Sequence, residues 1–241
     1  MRPVVFAGPS LADDPVLADA RIAWKPPAAA GDVYGAARKG ARLIGLIDGR
    51  FESEPAVWHK EILWAMNRGA RVLGAASMGA LRAAELAPFG MRGVGRIWRA
   101  FRDGTLEDDD EVAVVHAPAE LGFAPLSVAM VDIRATIAVA HTAGVLSKAA
   151  EARIANAMKA LYFKERTWDA VVAAAPRAER AAFARWLSAN RVEQKRADAR
   201  ALVAAVRRLM ARPLAPFQPK FTFQRTAHWD AFIANRTKGR P

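Results

Sequence analysis

The first 125 residues alternate between short apolar segments and segments with helical periodicity. Short apolar runs are typical of buried strands, and an intervening helix lets neighbouring strands run in the same direction. We therefore predict an α/β fold with a mostly parallel central sheet and flanking helices. The predicted strands are 3–7, 21–24, 42–47, 71–75 and 111–116, and the predicted helices are 31–39, 54–68 and 78–87.

From Leu126 onward the pattern is helical, which predicts an all-helical basic region. Three prolines then interrupt the chain before a last short helix. We predict an α/β core over 1–125, a helical region packed on that core over 126–210 and a proline-interrupted extension over 211–241. The predicted helices beyond the core are 127–143, 147–162, 165–174, 177–188, 191–210 and 226–235.

The composition permits a packed core and excludes several kinds of site. Apolar residues make up 53% of the chain, which is enough to fold. The absence of cysteine excludes disulfides, a cysteine nucleophile and a thiolate zinc site. The four histidines show no HxxxH or HxH spacing. We therefore predict neither a metal nor a cofactor.

The chain is basic, with 36 Lys and Arg against 24 Asp and Glu and a formal net charge of +12. The basic excess lies beyond residue 150, which indicates either an acidic or polyanionic partner or a set of solvated arginine-rich helices. No apolar run reaches the ~18 residues of a membrane span, and the N-terminal segment turns acidic too early for a secretory signal. We therefore predict a cytoplasmic protein with no membrane partner.

The segment 71–87 carries the first candidate for chemistry. An apolar strand followed at once by a helix would place Ser77 on a sharp turn at the carboxyl edge of the sheet. The N–H groups of Met78 and Gly79, at the helix N-terminus, could then stabilise an oxyanion. Ser77 is therefore a candidate nucleophile, although the G-x-S-x-G pattern is broken at Ala75. The alternative is a helix N-cap.

A serine nucleophile needs a base, and the helix 54–68 offers His59 and Lys60. Lys60 falls between Leu63 and Trp64, and an apolar setting lowers the pKa of a lysine so that the neutral amine can take a proton. Only one of the two side chains can face the site, and the sequence leaves the choice open. The alternatives are a half-buried histidine and a lysine that extends to solvent.

Two loops lie beyond strand ends, where open sheets place their sites. Gly8 and Ser10 could supply an N–H group or a hydroxyl, and Asp48 could orient a base, although both loops also read as ordinary turns. In the helix 78–87, Arg82 could bind a carboxylate, with an ion pair to Glu85 as the alternative. The acidic run 107–111 favours a solvated or partner-facing loop over a cation site.

Seven segments within the first 140 residues, taken in their order along the chain, resemble the core domain of the TfuA-like family. They are VFAGPSL (5–11), LIDGRF (46–51), PAVWHKEIL (55–63), GAASMGALRAAEL (74–86), FGMRGVG (89–95), DDEVAVVH (109–116) and PLSVAMVDIR (125–134).

This resemblance implies a role beside YcaO enzymes, the ATP-dependent catalysts of peptide backbone modification, in the thioamidation of peptide natural products. A TfuA-like protein is proposed to hydrolyse the C-terminal thiocarboxylate of a ubiquitin-like sulfur-carrier protein, which releases sulfide, and to help the YcaO enzyme engage its precursor peptide. The active site proposed for the family is a Ser–Lys pair. Ser77 matches the serine, and Lys60 is the lysine that we match to it, ahead of Lys25 and Lys39.

The resemblance therefore predicts a hydrolase in which Ser77 attacks the thiocarboxylate after losing its proton to Lys60, with Arg82 and helix N–H groups offsetting the negative charge. The alternative is a non-catalytic basic adaptor that binds the YcaO enzyme, the peptide or a nucleic acid. The chain shows no nucleic-acid motif, which disfavours the last partner. The lack of a Ser, Asp, His order disfavours a generic esterase.

Overall fold

The computed structural model describes residues 2–51 and 54–238. Within these residues five strands form one all-parallel sheet in the order β2-β1-β3-β4-β5, which confirms the predicted α/β fold. None of the helices in the described ranges is long and apolar enough to cross a membrane. The strands are β1 (Val4–Phe6), β2 (Ala23–Lys25), β3 (Leu43–Leu46), β4 (Arg71–Gly74) and β5 (Arg92–Gly93).

The described residues form ten α-helices, and all but α4 overlap predicted helices. They are α1 (Asp32–Arg38), α2 (His59–Asn67), α3 (Met78–Glu85), α4 (Arg96–Arg102), α5 (Met130–Thr142), α6 (Lys148–Ala160), α7 (Trp168–Ala174), α8 (Arg177–Leu187), α9 (Gln194–Met210) and α10 (Ala227–Lys238). Short 3-10 helices lie at Pro9–Leu11, Pro15–Ala18, Ala87–Phe89, Asp109–Glu111, Ala119–Leu121 and Phe163–Glu165.

The predicted strand 111–116 is wrong. This segment leaves a 3-10 turn and runs as an irregular chain, with one isolated antiparallel bridge between His116 and Pro125. The apolar signal comes from burial without strand pairing. Val112 and Ala113 are both buried, and Val112 packs in a cluster with residues of α4 and α5. The fifth strand is instead β5, whose two residues give no apolar signal.

The two faces of the sheet are covered from different parts of the chain. Helices α1 and α2 pack on one face, where Phe6, Ile44 and Val72 point. Helix α9 packs on the other, where Leu202 contacts the sheet at Gly45. A Cβ at Gly45 would lie 2.8 Å from Leu202 Cδ2, so glycine here permits the close approach of α9. The fold is therefore three layers thick, and its third layer comes from the helical region.

Helices α5 to α8 enclose an apolar core of their own. Helix α9 then returns across the sheet, where its apolar residues join the core on that face, and it also contacts α5. The position of the first turn of α9 is consequently set by the sheet and by the helical region together.

The C-terminal segment 211–238 packs back onto the α/β core. The Phe217 N–H donates to Gly69 O at 2.9 Å, and the side chain of Trp229 is 1% exposed. The Trp229 ring lies 5.6 Å from Tyr34 and 6.2 Å from Trp64, ring centre to ring centre. The segment therefore contributes buried contacts to the fold.

We expect Trp229→Ala to lower the free energy of unfolding by about 3–5 kcal/mol, because it removes a large buried ring from an aromatic cluster. Tyr162→Ala is the matched control, since Tyr162 is 48% exposed, and should cost about 1 kcal/mol or less. Urea titration of both variants measures the difference. Equal costs would contradict the packing described for α10.

Candidate active site at the carboxyl edge of the sheet

The strand order places a topological switch point between β1 and β3. The chain leaves β1 toward β2 through the 3-10 turns that pack beside α9, and it leaves β3 toward β4 through α2 on the other face. Open α/β sheets bind ligands at the carboxyl ends of strands at such a point. Three of the sequence-predicted segments meet at this edge, which are Gly8 to Ser10, Asp48 to Gly49 and Ala75 to Ser77.

Ser77 lies on a sharp turn between β4 and α3. Ala76 has φ +63°, which is a left-handed conformation that a residue with a side chain rarely adopts. Ser77 occupies the N-cap position of α3, but its hydroxyl makes no capping hydrogen bond. The N-cap alternative therefore does not describe what this hydroxyl does.

Two glycines allow this turn to pass close to its neighbours. A Cβ on Gly79 would lie 1.7 Å from Leu46 O, and a Cβ on Gly74 would lie 2.0 Å from Gly79 O. No side chain fits at such distances, so α3 begins directly against the end of β3. Both glycines around Ser77 are thus required by the close approach of neighbouring backbone segments.

The N–H groups near Ser77 are not equivalent. The Gly79 N–H donates to Ile47 O at 3.1 Å, so it is already used inside the fold. Within residues 2–51 and 54–238, no group accepts from the Met78 N–H, and none accepts from the Gly49 N–H. Gly49 lies against Met78, since a Cβ there would meet Met78 Sδ at 2.3 Å. Of the two predicted oxyanion donors, only Met78 keeps an available N–H group. The Gly49 N–H is a second available donor that the sequence analysis did not name.

The Ser77 hydroxyl and a buried lysine contact the same carbonyl oxygen. Ser77 Oγ lies 3.4 Å from Val112 O as a hydrogen-bond donor, and Lys195 Nζ donates to that oxygen at 2.7 Å. Burial lowers the pKa of Lys195, while the carboxylates of Asp48 and Asp132 act in the opposite direction. A lysine with a lowered pKa beside a serine hydroxyl is the arrangement in which an amine can act as a base.

The main chain of Lys195 is fixed by helix α5. Its N–H donates to Asp132 Oδ1 at 2.9 Å, and the N–H of Val192 donates to Thr136 Oγ1 at 2.9 Å. Burial raises the pKa of Asp132 to about 6 against the hydrogen bonds from the Lys195 and Gln194 N–H groups and the attraction of Lys195. The partly buried Asp132 and the buried Thr136 of α5 thus satisfy N–H groups at and before the start of α9.

Asp48 organises the loop after β1. Its Oδ2 accepts from the N–H groups of Gly8 at 2.8 Å and Ser10 at 3.1 Å, and its Oδ1 accepts from Ser10 Oγ at 2.6 Å. Gly8 and Ser10 are therefore committed to Asp48. Their predicted role as ligand donors gives way to a role in shaping the edge of the site.

The acidic run before Val112 is held by cations of the helical region. Arg166, whose side chain is fully buried, donates to Asp110 O at 2.8 Å and pairs with the Asp110 carboxylate. Arg134 binds Glu111 through two hydrogen bonds of 2.8 and 2.9 Å. The prediction of a solvated or partner-facing loop is therefore wrong for Asp110 and Glu111, whose pairs fix the carbonyl of Val112.

The structure does not bring Lys60 to Ser77. Lys60 Nζ donates to Thr226 Oγ1 at 3.1 Å and lies 5.6 Å from the ring centre of Phe223, on the surface of α2 that the C-terminal segment covers. The setting between Leu63 and Trp64 is therefore not the interior of the site. The lysine that shares a hydrogen-bond acceptor with Ser77 is instead Lys195, through Val112 O.

His59, Arg82 and Glu85 form a network of their own. Arg82 donates to Glu85 Oε2 at 2.8 Å and to Val57 O at 2.8 Å, and His59 Nε2 lies 2.7 Å from Glu85 Oε2. The ion-pair alternative for Arg82 is thus confirmed. Neither His59 nor Arg82 contacts Ser77.

The sequence carried a signal for Lys195 that its polar neighbours concealed. Lys195, Ala199, Leu202 and Val206 repeat at three- and four-residue intervals, so they share the face of α9 that is buried. The residues immediately around Lys195 are charged or polar, which is typical of a solvated helix start. Its position beyond the family resemblance also kept it from being matched.

The chain is a parallel α/β protein in which Ser77 and Lys195 contact the same buried carbonyl oxygen near the carboxyl edge of the sheet. Residues 48–167 match the model of the family described as TfuA-like protein. The chain therefore belongs to the TfuA-like family, as the resemblance predicted, and this supports a YcaO-associated role in general. A comparison with curated proteins gives no match. The matched range includes Ser77 and Val112 and ends before Lys195.

We expect Gly79→Ala to lower the free energy of unfolding by more than about 2 kcal/mol, because its Cβ would overlap the backbone at Leu46. Gly35→Ala is the matched control, since nothing lies within 4 Å of a Cβ there. Gly35 is inside α1, so alanine should be neutral or stabilising by up to about 1 kcal/mol. Urea titration compares them, and similar behaviour of the two variants would contradict the tight turn.

We expect Asp132 to lower the free energy of unfolding as the pH rises from about 4 to about 6. Its pKa is 3.8 in the unfolded reference and about 6 in the fold, so the folded state holds the extra proton in this window. The loss amounts to about 3 kcal/mol. Asp132→Asn, which keeps an acceptor for the Lys195 N–H, should remove this loss, whereas the exposed control Asp169→Asn should retain it. Urea titrations at several pH values test the difference.

Proposed function

We propose that the protein is a Ser–Lys hydrolase that cleaves the thiocarboxylated C-terminus of a sulfur-carrier protein and supplies sulfide to a YcaO enzyme. The observation that carries the proposal is the convergence of Ser77 Oγ and Lys195 Nζ on Val112 O. Family membership supports the association with YcaO enzymes. The substrate follows from the chemistry that the family resemblance implies.

The first half-reaction forms an acyl-enzyme. Neutral Lys195 takes the proton of the Ser77 hydroxyl, and Ser77 Oγ bonds to the carbonyl carbon of the thiocarboxylate. The Met78 and Gly49 N–H groups bind the developing oxyanion. The C–S bond then breaks with its electron pair on sulfur, the proton passes from Lys195 to sulfur, and hydrosulfide leaves. The second half-reaction adds water to the ester and restores the Ser77 hydroxyl.

Ser77 opens onto a pocket with a volume of about 520 Å³. Its walls combine small, apolar and aromatic groups, so a narrow chain end fits better than a bulky side chain. The flexible C-terminus of a carrier protein meets this requirement. The lining residues are Pro9, Gly49, Phe51, Ser77, Val114, Val115, His116, Ala117, Pro118, Phe163 and Lys164.

The structure gives little support to the alternative that the protein is a non-catalytic basic adaptor. Arg166 and Lys159 bind the acidic run, and Arg200 and Arg207 pair with Asp14 and Asp19 at 2.7 and 2.8 Å. Part of the basic excess is thus used inside the fold. An adaptor role remains one outcome of the experiment that follows.

The test is sulfide release from a thiocarboxylated carrier protein, measured with and without the YcaO partner. Ser77→Ala and Lys195→Met should each lower the rate by at least about 100-fold, because the nucleophile and its base act as a unit. The double variant should be little slower than either single variant. Lys195→Arg should also fail, since a guanidinium does not give up its proton.

Lys60→Met is the matched control and should keep sulfide release, because Lys60 contacts the C-terminal segment. Lys195→Met removes the donor to Val112 O, so urea titration of this variant must show that it is folded before its sulfide release is compared. If Lys60→Met loses sulfide release and Lys195→Met keeps it, the assigned base is wrong. Release that survives in Ser77→Ala excludes the covalent mechanism and leaves an adaptor.

A further inference from the structure

The pocket in front of Ser77 contains a histidine that the first half-reaction does not use. His116 lines this pocket, and its Nδ1 lies 2.8 Å from Ala117 O. A carbonyl oxygen only accepts hydrogen bonds, so Nδ1 carries the hydrogen. The neutral ring therefore has its lone pair on Nε2, which is the tautomer required of a general base.

The His116 ring is held in place by its own loop. It packs edge to face on Phe123, with 5.6 Å between ring centres. The loop closes through the Ala117 N–H, which donates to Ala124 O at 2.8 Å, and through the bridge between His116 and Pro125. A ring fixed in orientation and tautomer is preorganised for proton transfer.

Lys195 contacts Val112 O from a neighbouring pocket. It lines that pocket together with Ser10, Ser127 and Asp132; the two pockets share Pro9 and Val114, but Lys195 is not among the residues that line the pocket of His116. In the proposed reaction, hydrosulfide leaves and water enters through the pocket onto which Ser77 opens. A base for that water is then best placed in this pocket, and His116 is the histidine that lines it.

We propose that His116 is the general base of the second half-reaction, the hydrolysis of the acyl-enzyme, with Lys195 serving the first. This assignment rests on the proposed function. Water oxygen bonds to the acyl carbon while His116 Nε2 takes one of its protons. The bond between the acyl carbon and Ser77 Oγ then breaks, the imidazolium returns that proton to Oγ, and the carboxylic acid product releases its own proton to solvent.

The other three histidines do not meet these conditions. His59 is paired with Glu85, and His228 is exposed on α10. His141 has the same bond from Nδ1 to a carbonyl, at 3.0 Å to Leu146 O, but it belongs to the helical region and does not line this pocket. His141 is therefore a control with a matched tautomer and a different location.

The experiment follows sulfide release by rapid mixing of thiocarboxylated carrier with wild-type protein, His116→Asn and His141→Asn. Asparagine keeps an N–H donor close to the position of Nδ1 and lacks the base. We expect His116→Asn to release about one sulfide per protein at the wild-type rate and then to turn over about 100-fold more slowly. Mass spectrometry should show the carrier bound to Ser77 as an ester. His141→Asn should behave as wild type.

Two results would overturn the assignment. One is a His116→Asn protein that turns over at the wild-type rate. The other is a folded His116→Asn protein that has lost the initial burst as well, because His116 would then act before the acyl-enzyme forms. If His116→Asn does not fold, His116→Ala with and without added imidazole replaces it, and recovery of turnover supports the role whereas no recovery rejects it.

The experiment also separates this inference from the proposed function. Wild-type release that does not depend on Ser77 and Lys195 rejects the hydrolase itself. Release that depends on both residues, together with normal turnover in His116→Asn, rejects only the role of His116.

Discussion

The site depends on the burial of one lysine amine against one main-chain oxygen, Val112 O. An ammonium group is costly to remove from water, and this cost lowers the pKa of Lys195. The oxygen that receives it lies outside regular structure, so it has to be fixed by other means. The ion pairs of Asp110 with Arg166 and of Glu111 with Arg134 do this from the helical region. The ion pairs around the acidic run therefore hold in place the carbonyl oxygen that accepts from Lys195.

Ser77 and Lys195 come from distant parts of the chain, so the proposed site forms only when the α/β core and the helical region pack together. Ser77 is fixed by local constraints, which are the glycines on either side and the left-handed Ala76. Lys195 is fixed only when α9 lies across the sheet, with Leu202 at Gly45 and the Lys195 N–H on Asp132. A core over 1–125 without α9 would contain Ser77 without the base that we propose for it. In the proposed reaction the helical region therefore contributes to the chemistry as well as to the packing.

The parts that the sequence predicts well are those set by neighbours in the chain. The turn at Ser77 and the loop at Asp48 follow from short patterns of glycine, apolar residues and polar residues, and the structure contains both. The strand 111–116 was predicted wrongly because burial of Val112 gives the same apolar signal with or without a strand partner. Lys60 was matched to Ser77 on a local apolar pattern, whereas the lysine beside Ser77 is brought there by the docking of α9, which no local pattern encodes.

The charges near Lys195 suit a reaction in which negative charge grows on the substrate. In the resting site burial favours the neutral amine, while Asp48 and Asp132 favour the ammonium. In the proposed reaction, Lys195 takes the proton of Ser77, and its new positive charge lies near both carboxylates and beside an intermediate that carries charge on oxygen and on sulfur. This negative charge opposes the cost of burying the ammonium, so the ammonium is stabilised most at the stage where the intermediate is most negative. A base with an ordinary pKa would already be protonated at neutral pH, and a lysine without nearby carboxylates would hold its new proton poorly.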